Sequence, residues 1–75
     1  MKASILIKTR VRAHSDVAAR VRRLRGVLHS FAVMGRADVV AAVEVDTLRE
    51  LSELALRIGR TRDVQATETL IALEA

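Results

Sequence analysis

The first twelve residues of the chain alternate between two kinds of side chain with a period of two. From position 3, every second residue is apolar or a threonine, and the intervening positions include Ser4, Lys8 and Arg10. Alternation over this length is typical of a β-strand with one buried face. A strand is therefore predicted over residues 3–12, and its buried face would carry Ala3, Ile5, Ile7, Thr9 and Val11.

After position 15 the apolar residues follow helical spacing. Residues 16–25 place one apolar stripe on a helix and the arginines on its other side. Ser15 is expected to cap this helix, and Asp16 to stabilise its positive end. Gly26 is expected to end it, because glycine readily adopts the backbone of a helix C-terminus. The stripe consists of Val17, Ala18, Val21 and Leu24.

The middle of the chain is typical of a β-hairpin. Residues 27–34 and 38–45 are rich in β-branched and small apolar residues, so each predicts a strand. Between them, Gly35, Arg36 and Ala37 form a connection of hairpin length, in which Gly35 is free to take a positive φ.

A second helix and a last strand follow the hairpin. Thr47 and Glu50 have the spacing of a capping box, and Gly59 is expected to end the helix that they begin. Residues 64–73 are rich in threonine and aliphatic side chains and predict a strand. The buried stripe of the second helix would consist of Leu48, Leu51, Leu54, Ala55 and Ile58.

The resulting element order, strand–helix–strand–strand–helix–strand, is that of an α+β, ferredoxin-like unit. Right-handed crossovers would place both helices on one face of a four-stranded antiparallel sheet. Residues 39–43 and 70–73 are apolar at consecutive positions, so both faces of these strands are apolar. We expect two subunits to stack sheet on sheet, as in a dimeric α/β barrel. The alternative is that a few alanines and valines are exposed.

Length and composition favour assembly. Seventy-five residues predict one domain, residues 1–75, whose core is small for a stable monomer. The chain has no cysteine and two histidines, so neither disulfides nor a metal site is expected, and oligomerisation remains as the source of stability. The apolar stretches are too short to span a bilayer, and no signal segment is evident, so we expect a cytoplasmic protein without a membrane partner.

Five segments of the chain form a recognisable series: ASILIKT at 3–9, LRGV at 24–27, GRADVV at 35–40, EL at 50–51 and VQATETL at 64–70. In their order and spacing they resemble the effector-binding domain, called RAM, of the Lrp/AsnC feast/famine regulators. The resemblance implies a homodimer that assembles into an octamer or decamer, with an amino-acid effector bound between dimers. It also implies a link to transcriptional regulation, partnership with full-length regulators, and no cofactor.

The sequence differs from full-length members at its start and from the family pattern at two places, the hairpin and the loops after the helices. The family often has Pro-Gly in those loops, whereas this chain has no proline and has Arg62-Asp63 before Val64. Met1 falls directly before the first strand, so we expect no helix-turn-helix domain and no direct sequence-specific DNA binding. The family's hairpin commonly has an aromatic residue where this chain has Ala37, so we expect weaker ligand binding.

Five residues are candidates for the ligand site: Gly35, Arg36, Asp38, Thr67 and Thr69. The Asp38 carboxylate could hold an α-ammonium group, and the backbone N–H groups of Gly35 and Arg36 could receive a carboxylate. Thr67 and Thr69 are two apart, so both hydroxyls would lie on one face of the last strand. The alternatives are that Asp38 only shapes the turn and that the threonines reflect β-propensity.

Two other function classes remain as alternatives. The RNA-recognition motif shares the element order, but it stacks bases on aromatics of its central strands, and here strands one and three have none. A small barrel enzyme has little support, because no residues form a recognisable catalytic arrangement. The net charge of +4 arises from arginines, with six between Arg10 and Arg25, which more often form a solvated helix face than a binding site.

Overall fold

In a computed structural model of the chain, which describes residues 1–73, six elements follow the predicted order. The four strands form one antiparallel sheet in the order β2-β3-β1-β4, so the predicted ferredoxin-like fold is confirmed. The strands are β1 (Lys2–Thr9), β2 (Val27–Ala32), β3 (Val39–Glu44) and β4 (Val64–Ile71). The helices are α1 (His14–Arg22) and α2 (Leu48–Gly59), and no helix in the described residues is long and apolar enough to cross a membrane.

The core lies between the helices and one face of the sheet. Alternate residues of β1 are buried, as the period of two predicts, and they meet the buried residues of β3 and both helices. Burying one valine, leucine or isoleucine side chain completely stabilises a fold by about 1.5–3 kcal/mol. The largest fully buried side chains are Ile5, Ile7, Ile58, Val17, Val21, Val39 and Val43.

The start of α1 differs from the prediction. The helix begins at His14 with Ala13 in the N-cap position, and no side chain caps it, so the expectation that Ser15 is the cap is wrong. The reason lies in the preceding loop, where Arg12 adopts a φ of 68° and the Ala13 N–H donates to the Arg10 carbonyl. This turn starts the helix early enough to place Ser15 inside its first turn.

The end of α1 is a tight turn. The helix ends at Arg22 instead of position 25, and the Leu24 N–H donates to the Val21 carbonyl. Leu24 still packs against the core, as predicted. Gly26 follows with a φ of 98°, and a Cβ there would lie 3.3 Å from the side chains of Leu54 and Val45. Both the backbone conformation and the packing therefore favour glycine.

The cap of α2 by Thr47 is confirmed, because the Glu50 N–H donates to Thr47 Oγ1 at 3.1 Å. The reciprocal bond of a capping box is shifted by one residue, since Glu50 Oε2 accepts from the Asp46 N–H at 3.4 Å. Two residues assigned to buried stripes are instead exposed. Leu48 is 56% exposed because it is the first residue of α2, one turn before Leu51, the first buried residue of the helix. Val11 is 90% exposed because β1 ends at Thr9 and the chain turns there.

The sheet face opposite the helices, which we call the open face, has an apolar centre. Leu6 pairs with Val40 of β3, and Val40 pairs in turn with Phe31 of β2. On the other side of β1, Leu70 pairs with Ser4. Phe31 and Leu70 are each about half exposed, at 49% and 48%. The apolar second face that the sequence predicts is therefore present and is uncovered in the single chain.

Candidate functional site

The Asp38 carboxylate is fixed by the main chain of β1. Its Oδ2 accepts a hydrogen bond from the Thr9 N–H at 2.8 Å, and the Asp38 N–H donates to the Ile7 carbonyl at 2.9 Å. The side chain is half-buried, and within residues 1–73 its Oδ1 accepts no hydrogen bond. One carboxylate oxygen is thus structural, and the other has no hydrogen-bond partner in the described residues.

The connection between β2 and β3 is longer than predicted. It comprises residues 33–38 instead of three residues, and the Val33 N–H closes it by donating to the Asp38 carbonyl at 3.0 Å. Gly35 has a φ of 135°, and no heavy atom lies within 4 Å of the position where a Cβ would stand. In the described part of the chain, the N–H groups of Gly35 and Arg36 donate no hydrogen bond.

Thr67 and Thr69 lie on the helix-covered side of the sheet. Thr67 pairs with Ile7 and Thr69 with Ile5, two residues whose side chains are fully buried beneath the helices. Because β4 is an edge strand, its threonines are less covered than those central residues. Thr67 is exposed and Thr69 is half-buried.

The hairpin and β4 flank the end of β1 from opposite sides. Ile7 accepts from the Asp38 N–H and pairs with Thr67. Two strand spacings therefore separate the Asp38 and Thr67 backbones, which is about 10 Å. A cavity of about 480 Å³ includes Gly35, Asp38 and the unpredicted His14 of α1, but neither threonine. The structure brings part of the predicted site together and leaves the threonines outside it.

Arg36 reaches across the sheet to β4. Its Nη2 lies 3.3 Å from Glu68 Oε1, and both side chains are largely exposed. Glu68 pairs with Leu6, so this ion pair lies over the open face. Glu68 lies between Thr67 and Thr69 in sequence, but its side chain is on the opposite face of β4. The side chain of Arg36 therefore binds Glu68 and does not line the hairpin cavity. Its backbone N–H has no hydrogen-bond partner within the described residues.

Two residues that position the site were not predicted. Thr9 holds Asp38 through its backbone, which no side-chain pattern reports. His14 lies at the hairpin cavity because α1 begins earlier than expected. Its place immediately after the first strand was the only signal in the sequence. No group of three or more metal-ligating side chains is close enough to hold an ion in residues 1–73.

Solved structures share this fold across the whole chain. TTHA0845 from Thermus thermophilus is 29% identical with a TM-score of 0.92, over 99% of this chain and 94% of that protein. The hypothetical protein PHS023 from Pyrococcus horikoshii is 28% identical with a TM-score of 0.88, over 99% of this chain and 90% of its own. These two relatives have nearly the same length as this chain.

A longer relative is the feast or famine regulatory protein from M. tuberculosis, solved in complex with L-methionine. It is 28% identical with a TM-score of 0.82, and the match covers 99% of this chain but 50% of that protein. No curated protein sequence matches the chain significantly. The family model of the Lrp/AsnC ligand binding domain matches residues 2–75. The chain belongs to the Lrp/AsnC family and corresponds to its ligand-binding domain.

Proposed function

We propose that the chain is a non-enzymatic sensor that binds a free amino acid at a surface shared between subunits. The observation that carries this proposal is the Asp38 carboxylate, which is held by the Thr9 N–H through one oxygen only. The match to a regulatory ligand-binding domain supports a binding role over catalysis. The L-methionine complex of the M. tuberculosis relative supports an amino acid as the ligand class.

The chemistry of the hairpin suits a zwitterion. The α-ammonium group of an amino acid would donate to the free oxygen of Asp38, forming a charge-assisted hydrogen bond. Its carboxylate would accept from the N–H groups of Gly35 and Arg36, which have no partner among the described residues. The empty space beside Gly35 allows a ligand to approach this backbone closely.

The candidate contacts of a single chain are too far apart to meet one amino acid. The ammonium and carboxylate groups of an amino acid lie a few ångströms apart, whereas two strand spacings, about 10 Å, separate Asp38 from Thr67. We therefore propose that the hairpin of one subunit and the threonines of another line the same site. The position of β4 at the sheet edge supports this arrangement, because Thr67 is accessible to a neighbour.

We further propose that subunits dimerise through the open face and that dimers assemble into an octamer or decamer. The half-exposed Phe31 and Leu70 support the first step, because an uncovered apolar face favours association. Longer regulators of the family are a second class of partner, since the M. tuberculosis regulator contains this domain as half of its length.

The experiment is calorimetric titration with each proteinogenic amino acid, followed by native mass spectrometry. With Ala37 where the family commonly has an aromatic residue, we expect a Kd of ~0.1 to 1 mM, equivalent to roughly −4 to −5.5 kcal/mol. Ligand should raise the population of the highest assembly, because a site between subunits links binding to association. Absence of binding by every amino acid would refute the proposal.

A further inference from the structure

We propose that five arginines at one end of the helix layer form a surface that binds the phosphate backbone of nucleic acids without sequence preference. They belong to the loop between β1 and α1, to α1 itself and to the loop between α2 and β4, and we call them the arginine surface. Its members are Arg10, Arg12, Arg20, Arg60 and Arg62, with Asp63 among them.

Contacts between the two loops hold this surface together. The Arg10 N–H donates to the Asp63 carbonyl at 2.9 Å. The Asp63 carboxylate lies 3.8 Å from both Arg10 Nε and Arg20 Nη1, and Arg20 also donates to the Arg62 carbonyl at 3.4 Å. One carboxylate, whose side chain is 27% exposed, thus fixes two guanidinium groups that remain 70% and 38% exposed.

The charge of this surface, from five arginines and one aspartate, equals the net charge of +4 of the whole chain. The sequence has 13 Lys and Arg against 9 Asp and Glu. Without the five arginines and Asp63, eight residues of each sign remain, so the rest of the chain is neutral. Among the described residues, Arg12, Arg60 and Arg62 form no side-chain ion pair. Three of the five positive charges on this surface therefore have no carboxylate partner within the described residues.

Each of the two loops has one charged residue with a left-handed backbone. Arg12 and Asp63 are the only non-glycine residues with positive φ in residues 1–73, at 68° and 71°. A left-handed backbone costs an arginine roughly 1–2 kcal/mol, which glycine would avoid, whereas aspartate adopts it more readily. Strained residues persist at functional positions more often than elsewhere, and Arg12 lies in a loop of the arginine surface.

The shape of the surface suits an extended polyanion. Three cavities, at the hairpin, between α2 and the turn after α1, and on the open face, are lined by other residues. A small anion would need a concave site, whereas a nucleic acid presents a charge every ~1.7 Å of duplex axis to an open surface. Guanidinium groups match phosphate oxygens in bidentate geometry, so exposed arginines are well suited to contact phosphodiesters.

The test is fluorescence anisotropy of the full chain with a labelled mixed-sequence duplex, at salt concentrations from 20 to 200 mM. Five phosphate contacts predict a slope of log affinity against log salt of about −4.5. In the triple variant Arg12→Gln/Arg60→Gln/Arg62→Gln the slope should fall to about −2, with affinity at 50 mM salt lowered about 10-fold or more. The side chains of these three arginines form no hydrogen bond or ion pair within the described residues, so folding should be unchanged.

The matched control is Arg23→Gln/Arg25→Gln/Arg49→Gln, which removes the same charge from exposed positions at the other end of the helices. It should keep the parent slope and affinity within about 3-fold. Equal losses in both variants, no binding by the parent at 20 mM salt, or tighter binding of poly-L-glutamate than of the duplex would each overturn the proposal. Asp38→Asn should bind the duplex as the parent does, which separates this surface from the amino-acid site.

Discussion

The backbone N–H of Thr9 donates to the carboxylate of Asp38 at 2.8 Å, joining the end of β1 to the hairpin between β2 and β3. This bond gives Asp38 two tasks in the proposed function, because one oxygen holds the loop and the other would meet the ligand. A single substitution to alanine would remove both. Two substitutions that differ in hydrogen-bonding capacity are needed to separate them.

Asp38→Asn should abolish amino-acid binding while leaving the fold intact. The asparagine amide oxygen still accepts from the Thr9 N–H, but the negative charge that attracts an α-ammonium group is gone. Asp38→Ala should also lose binding and in addition lower the free energy of unfolding by about 1–2 kcal/mol. Calorimetry and urea unfolding measure the two effects. Ligand binding by Asp38→Asn at parental affinity would assign Asp38 a structural role only.

Thr67→Val and Thr69→Val should weaken amino-acid binding without destabilising the sheet. Valine has nearly the shape of threonine and favours strands equally, so only the hydroxyl is lost. Each hydrogen bond to a ligand is worth about 0.5–1.5 kcal/mol, which corresponds to a 2- to 13-fold change in Kd. Ser52→Ala, which removes an exposed hydroxyl from α2, is the control and should bind as the parent does. Unchanged affinity in both valine variants would remove the threonines from the site.

Two aspartate substitutions distinguish the open face from the core. Leu70→Asp should dissociate the oligomer and leave folded monomers, because Leu70 lies on the open face and is half exposed. Val43→Asp should instead unfold the chain, since Val43 is 1% exposed and packs beneath the helices. Light scattering reports the mass, and circular dichroism reports the fold. A Leu70→Asp protein with the parental mass would show that subunits do not associate through this face.

Ser30→Ala should leave the protein as stable or make it more stable. The Ser30 hydroxyl is buried and has no hydrogen-bond partner in the described part of the chain. A buried polar group without a partner destabilises a fold by about 1–3 kcal/mol, so its removal should recover up to about 1 kcal/mol. Urea unfolding at one fixed protein concentration measures this, because association also contributes to stability. A clear loss of stability would contradict this prediction.

Local patterns predicted most of the fold. The alternation from Ala3 to Thr9 identified the central strand and its buried face, and the spacing of Leu51, Leu54 and Ile58 identified the stripe of α2. Thr47 was recognisable as a cap because a capping box is a contact between residues three apart. In each case the residues that determine the local structure are close together in sequence, within one strand or helix and its cap.

The errors arose where distant segments decide the conformation. Ser15 was a plausible cap by residue type, but the left-handed backbone of Arg12 starts α1 before it. The contact between Thr9 and Asp38 spans 29 positions and involves a backbone group, so side-chain periodicity carries no signal for it. The hydroxyls of Thr67 and Thr69 share a face as alternation predicts, but only the strand order shows their separation from the hairpin.

Phe31 is the one aromatic residue of the sequence, and the fold places it on the open face opposite Val40. Its ring is therefore a built-in spectroscopic label. After N–H protons have exchanged in D2O, the aromatic region of a proton NMR spectrum contains only this phenyl group and two imidazoles. Stacking of a second sheet on this face would shift the phenyl resonances, whereas events at the hairpin or the arginine surface would leave them in place.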